Sequence, residues 1–325
     1  MSRRLLVVAC LAGVAVVGAA VLWMPYPFSN TRGGWAKFEG NPVLGGDLGT
    51  VFDVSVLKEN DAFRMWISWR PESSVALVES SDGIHWSKPT IVLGPSEATD
   101  WEKMINRPVV LKRPDGYHMW YTGQTHEHSY IGHAVSTDGQ TWNRTSDKPV
   151  LIPDQPWEKA AVMVPHVLWD EDEQVYKMWY SGGEQYEPDA IGYALSPDGE
   201  TWSKHPDPVF LPSVESKWDG YKVTGSQVVQ HDGWYVMFYI GFRDVDHAQI
   251  GLARSRDGIS DWERHPANPI IGTSRFGWDR DACYKPYAIL DGNQWYLWYN
   301  GRRGSFEQIG LALHQGADLG FDSER

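Results

Sequence analysis

An all-β protein assembled from one repeated unit is what the sequence predicts, on three observations. The dipeptide Ile-Gly recurs at Ile131, Ile191, Ile250 and Ile309, spaced by 60, 59 and 59 residues, and a fixed period of that size marks one supersecondary unit written several times. A Ser-x-Asp-Gly turn followed by Trp recurs around Asp82, Asp138, Asp198 and Asp257. An apolar pair ending in an aromatic ring recurs at Met65-Trp66, Met119-Trp120, Met178-Trp179, Met237-Phe238 and Leu297-Trp298. Beyond residue 24 no helical period competes with these short alternating runs.

The elements follow in chain order. In residues 1–24, Arg3 and Arg4 precede about 20 apolar residues, long enough to cross a bilayer as one hydrophobic helix. This segment is expected to be a signal anchor or a signal peptide. The first alternative leaves the protein membrane-anchored with its globular part extracytoplasmic, and the second leaves it secreted. Residues 25–33 read as a linker and 34–325 as one catalytic-like domain. Each repeat holds an entry strand such as PVVLKR, a second such as YHMWYTG, a third such as IGHAVS and a fourth opening near Trp142, separated by glycine or Asp-Gly turns. Four antiparallel strands per repeat, with large flat side chains between neighbours, describe a blade.

Five such units predict a five-bladed β-propeller of four-stranded antiparallel blades. The fifth unit runs out as QGADLGFDSER with no Trp to open a fourth strand, whereas Trp35 precedes Pro42-Val43-Leu44 as Trp142 precedes Pro149-Val150-Leu151. The N-terminal strand is therefore expected to complete the last blade and remove two open sheet edges.

Side chains repeated in every blade serve shape, since one active site has no use for four copies. The Asp-Gly turns and the pairs Trp101-Glu102, Trp157-Glu158, Trp218-Asp219 and Trp278-Asp279 are read as structural. Chemistry belongs where the repeats disagree. At the starts of the inner strands, FDVSVL, NRPVVL, VPHVLW, GSQVVQ and YKPYAI, the aligned residues are Asp53, Arg107, Val164, Gly225 and Lys285, with His166 two positions past Val164. These are expected to face a shared funnel.

Composition narrows the partners. The chain has a formal net charge of -13, which repels phosphate backbones and anionic headgroups, so nucleic acid is not an expected partner and the membrane enters only through the N-terminal segment. No nucleotide-binding glycine loop, Cys-x-x-Cys pair or His-Glu-x-x-His helix is present, no spacing demands a metal, and no cofactor is expected. Cys283 is the only cysteine outside the apolar segment, which leaves no intrachain disulfide to support the fold.

The region from about Trp35 to Leu313 resembles the five-bladed propeller glycoside hydrolases, the superfamily of families 43, 32, 68, 117 and 130. MWYSGG, IGYALSPDGETW and PHVLWDEDEQVYKMWY carry the likeness. The resemblance implies a glycoside hydrolase, or a glycosyl-transferring relative, acting on an extracytoplasmic glycan, with Asp53 in FDVSVL as general base or nucleophile. The family's second aspartate precedes Pro in the third blade, where this chain has Val164. Its glutamate precedes Gly-Pro in the fourth, where this chain has Thr224 before Gly225-Ser226.

An acid to protonate the leaving oxygen must then come from the loops between second and third strands. Glu184 and Asp244 are the candidates, with Glu127 behind them, and His166 is a further one. Arg107, Arg243, Lys285 and Arg302 are expected to bind sugar hydroxyls or a carboxylate, and Tyr284, Trp69 and Tyr186 to stack on a ring. Two other classes stay open: a catalytically inactive propeller that binds carbohydrate or a cell-envelope partner, and a sialidase-like hydrolase, whose propellers have six blades and an arginine triad.

Overall fold

The computed structural model describes residues 30–186 and 188–321. Every regular element of more than three residues in it is a strand. The segment 1–24 expected as a hydrophobic helix lies outside the described residues, among which no helix is long and apolar enough to cross a membrane.

Five antiparallel meanders follow one another. The first pairs Val51–Glu59, Ala62–Trp69, Ser74–Ser80 and Thr90–Leu93 in order. The next three open with Met104–Arg113, Ala161–Asp170 and Lys222–His231, and the fifth runs Ala282–Asp291, Gln294–Arg303, Phe306–Gln315. The outer strand of the fifth is Trp35–Lys37, in register Trp35↔His314 to Lys37↔Ala312. The opening strands of successive meanders touch in chain order, and that of the fifth touches that of the first.

The repeated side chains explain how neighbouring meanders hold together. In each Ser-x-Asp-Gly turn the serine hydroxyl accepts the glycine N–H, as Ser136 does from Gly139 at 2.8 Å, and the aspartate accepts two further backbone N–H groups. That geometry presents the glycine carbonyl sideways. A fully buried indole from the neighbouring meander donates to it: Trp66 to Gly139 at 3.0 Å, Trp120 to Gly199 at 2.8 Å, Trp179 to Gly258 at 2.8 Å and Trp298 to Gly83 at 2.9 Å. The fifth meander has no such turn, and the residue that would reach for it is Phe238, which has no N–H to satisfy. Four turns and four indoles match.

A second repeat stiffens each unit. Glu102, Glu158, Asp219 and Asp279 are almost fully buried, and each accepts a tyrosine hydroxyl and one cation, as in Tyr239 at 2.8 Å and Arg264 at 2.9 Å on Asp219. The same arrangement joins Tyr121 and Arg144 to Glu102, and Tyr180 and Lys204 to Glu158. A buried carboxylate is tolerated when paired and hydrogen-bonded in this way. In the fifth meander the cation on Asp279 is Lys37, at 2.6 Å, contributed by the N-terminal strand. The Ile-Gly repeat is glycine because the preceding tryptophan lies over it: a Cβ on Gly132 would sit 2.6 Å from the Trp101 ring, and one on Gly310 2.6 Å from Trp278.

Candidate active site

The five opening strands share one irregularity. Their register slips between Phe52 and Ser55, Asn106 and Val109, Met163 and His166, Thr224 and Gln227, and Tyr284 and Tyr287. The first unpaired residue of each slip is Asp53, Arg107, Val164, Gly225 or Lys285, all left-handed with φ between 50° and 55°. For the four that carry a Cβ this backbone costs on the order of 1–2 kcal/mol each. Neighbouring meanders supply part of the compensation. The N–H of Arg107 donates to Ser68 Oγ, that of Val164 to Thr122 Oγ1, that of Gly225 to Ser181 Oγ and that of Asp53 to Asn300 Oδ1. The bulges bring all five residues to the lining of one small cavity.

Asp53, Arg107 and Lys285 also meet in a larger cavity of about 330 Å³, within the range of small-molecule sites. Trp69, Arg70, Tyr186, Tyr284, Arg302 and Glu307 also line it. Asp53 is 4% exposed. Arg107 Nε approaches its Oδ2 at 3.5 Å and Lys285 Nζ its Oδ1 at 3.7 Å. Arg107 is fixed from behind by Asn106 at 2.6 Å and Gln124 at 3.0 Å. Burial lowers the Lys285 ammonium to about 8, against the pull of Asp53 in the other direction.

Glu307 is the second buried carboxylate of the cavity. Burial pushes its carboxyl up from the ordinary range, opposed by Arg70 and reinforced by Asp53. Tyr284 stands beside it, with its hydroxyl held well above the usual range by burial first and then by the Glu307 charge. Arg70 reaches Glu307 Oε1 at 3.4 Å from a half-exposed position, and Arg302 donates to the Asp246 carbonyl at 2.7 Å.

The cavity concentrates unmet hydrogen-bonding capacity. Among the described residues, buried side-chain atoms without a hydrogen-bond partner include Asp53 Oδ1 and Oδ2 and Arg107 Nε, which have only the long ion pairs above, and Thr224 Oγ1, Arg302 Nε and Glu307 Oε2, and all five residues line this one cavity. Leaving such atoms unmet costs about 1–3 kcal/mol each, so their gathering in one place marks a surface shaped for a polar ligand.

The other expected residues are elsewhere. Glu184 is exposed and pairs with Lys159 at 3.3 Å. Asp244 is held by Arg243 at 3.0 Å and by the His247 ring. Glu127 is exposed. None of Glu184, Asp244, Arg243 and Glu127 lines the cavity; Glu184 and Asp244 fold back on nearby donors. His166 lies in a smaller cavity that shares Asp53, Arg107 and Lys285. Its Nε2 is 2.7 Å from the Val228 carbonyl, and burial lowers the ring to about 4, so at neutral pH that nitrogen carries the proton and gives it to the backbone.

Sequence reasoning missed Glu307, although a signal was there. Two positions before each Ile-Gly stand Ser129, Asp189, Ala248 and Glu307, so Glu307 is a place where the repeats disagree on a third strand rather than on an inner one. Among the described residues no group of three or more His, Cys, Asp or Glu is arranged to hold a metal ion.

The sequence signature of glycosyl hydrolases family 43 matches residues 40–316. The chain belongs to that family. A 1,2-beta-oligomannan phosphorylase of Thermoanaerobacter sp. (strain X514) is 35% identical over 133 residues, covering 37% of this chain and 43% of the relative. The chain spans about half the length of the curated relatives it matches. Among solved structures, one described as a glycoside hydrolase superposes with a TM-score of 0.69 at 20% identity, covering 88% of this chain and 89% of the other. Another, from work on GH130 mannoside phosphorylases and hydrolases that target beta-1,2 mannosidic linkages in Candida mannan, gives 0.67 at 14% identity, covering 89% and 95%. At these identities the structural likeness concerns the fold, which is all-β and propeller-like.

Proposed function

We propose that this family 43 chain is a five-bladed propeller that cleaves glycosidic bonds of an extracytoplasmic glycan in the Asp53 cavity. The observation that carries the reading is the gathering of unmatched buried polar atoms there, because a sugar presents several hydroxyls that donate and accept at once. Asp53 acts as base or nucleophile, with Arg107 and Lys285 as counter-charges on either side. Glu307, buried and raised, has the properties of a group that holds a proton until the leaving oxygen needs it. Tyr284 and Arg302 orient the sugar.

A second reading has its own observation: the carboxylates that the family pattern puts at the positions of Val164 and Thr224 are missing, which favours a propeller that binds a glycan without cleaving it. One experiment separates the two. The protein and its Asp53→Asn variant are assayed on aryl glycosides and polysaccharides, starting with β-1,2-mannosides because two similar proteins carry that linkage in their descriptions, with and without inorganic phosphate. Turnover lost in Asp53→Asn supports cleavage. Turnover that survives the substitution removes Asp53 from the reaction, and glycan binding with no turnover on any substrate establishes the second reading.

A further inference from the structure

The charges inside the cavity do not cancel. Three cationic side chains, Arg107, Lys285 and Arg302, line it against two carboxylates, Asp53 and Glu307, while Arg70 adds a further, half-exposed cation at the rim. The chain as a whole is strongly acidic, at -13, so a cationic interior runs against its composition. Two of the inner guanidinium groups keep a buried Nε without a hydrogen-bond partner, Arg107 and Arg302. The crowding is visible in Lys285, which burial and then the Arg107 charge push down to about 8 against the opposing pull of Asp53. A cavity in this state holds more cations than anions.

We propose that the sugar bound here carries a carboxylate, as a uronic acid does, and that Arg302 and Arg107 receive it. A carboxylate on the ring supplies negative charge to that cationic surplus. It is planar and accepts paired N–H donors from a guanidinium; Arg302 has a buried Nε–H without a hydrogen-bond partner, and that of Arg107 faces only the long 3.5 Å ion pair with Asp53. This inference rests on the cavity being the glycan site, and it adds the class of glycan.

The test is a binding comparison on the full chain, read by calorimetry, among methyl glucuronide, methyl galacturonide, methyl mannuronide, their neutral hexoside counterparts and inorganic phosphate. At least one uronide is expected to bind about tenfold or more tighter than its neutral counterpart, from one charge-assisted hydrogen bond of about 1.5–3 kcal/mol. Arg302→Gln, which keeps N–H donors and removes the charge, is expected to erase that preference by weakening the uronide about tenfold or more beyond whatever it takes from the neutral sugar, while the melting temperature holds. Equal binding of uronide and neutral sugar, binding of phosphate with no uronide preference, no uronide binding at all, or a preference untouched by Arg302→Gln overturns the proposal. Uronide preference without turnover of any glycoside would instead defeat the cleavage reading and leave this one standing, and turnover of neutral glycosides with no uronide preference does the reverse.

Discussion

Replacing Glu307 by glutamine tests whether the cavity holds its own proton donor. The amide matches the carboxyl in size and can still meet Tyr284, but it has no acidic proton to give. The ion pair with Arg70 that disappears is 3.4 Å long and more than half exposed on the arginine side, a geometry worth at most about 1 kcal/mol, so the melting temperature should barely move. The chemical effect should be larger: general acid catalysis contributes about 10²–10⁴-fold, or roughly 3–5 kcal/mol of barrier. It should also depend on the leaving group. Glycosides that release a nitrophenol need no proton and should keep most of their rate, whereas alkyl or sugar leaving groups should lose the full factor. Because burial raises the Glu307 carboxyl, the proton is present on the acid side and lost as pH rises through the raised value, so the wild-type rate falls toward alkaline pH. Lys285, lowered to about 8, also loses its charge on that side. Lys285→Met should remove a step near pH 8 without changing the leaving-group dependence, and Glu307→Gln should do the opposite. An equal loss for nitrophenyl and alkyl glycosides, or no loss, would refute the role given to Glu307.

The repeated side chains make their own predictions about stability. Trp179→Phe removes the indole N–H from the buried Gly258 carbonyl and should cost about 1–3 kcal/mol in urea unfolding with an unchanged slope, because that carbonyl is left without its donor, a cost Phe238 avoids by facing no such turn. Asp219→Ala leaves Tyr239 and Arg264 without their shared acceptor and should cost about 3–5 kcal/mol, while Glu184→Ala, on an exposed ion pair, should stay within about 0.5 kcal/mol and leave turnover unchanged. Asp138 and Asp198 are lowered to about 2, first by the backbone N–H groups of Thr141 and Thr201 respectively. Depressed carboxyls stabilise the fold above their unfolded value near 4 and lose that contribution as pH falls through 2, so NMR titration should place both midpoints near 2, and midpoints near 4 would contradict the turn geometry.

How much of this was legible in the sequence depended on which residues repeat. Period and turn chemistry are local properties, so the Ser-x-Asp-Gly turns, the glycine under each tryptophan and the strand that Trp35 opens could be read directly. The partner of each turn could not: Trp66 meets Gly139 seventy-three residues away, and nothing in either segment names the other. The same limit governed the site. Asp53, Arg107 and Lys285 occupy one aligned position and were found together, whereas Glu307 reaches the cavity from a third strand and falls outside a comparison of inner strands. Glu184 and Asp244 looked equivalent to it on composition, but a loop acid beside a lysine, an arginine or a histidine satisfies itself locally, and only coordinates reveal that Lys159 and Arg243 had claimed them.

An acidic shell around a cationic cavity gives the anionic-sugar proposal a kinetic signature with an unusual sign. Steering by the whole protein acts over the Debye length, about 30 Å in 0.01 M salt and 8 Å at physiological strength, and a net charge of -13 then repels a uronide approaching from solution. The attraction from Arg107, Lys285 and Arg302 operates only at short range, within a cavity where salt screens little. Raising salt from 0.01 to 0.15 M should therefore speed association of a uronide and leave its dissociation nearly unchanged, whereas ligands drawn in by a complementary surface associate more slowly as salt increases. Stopped-flow measurement of both rates for a uronide and its neutral counterpart decides it. The neutral sugar should show no salt dependence, and a uronide association rate that falls with salt would mean that the surface field near the cavity mouth is positive and that the inner cations do not act alone.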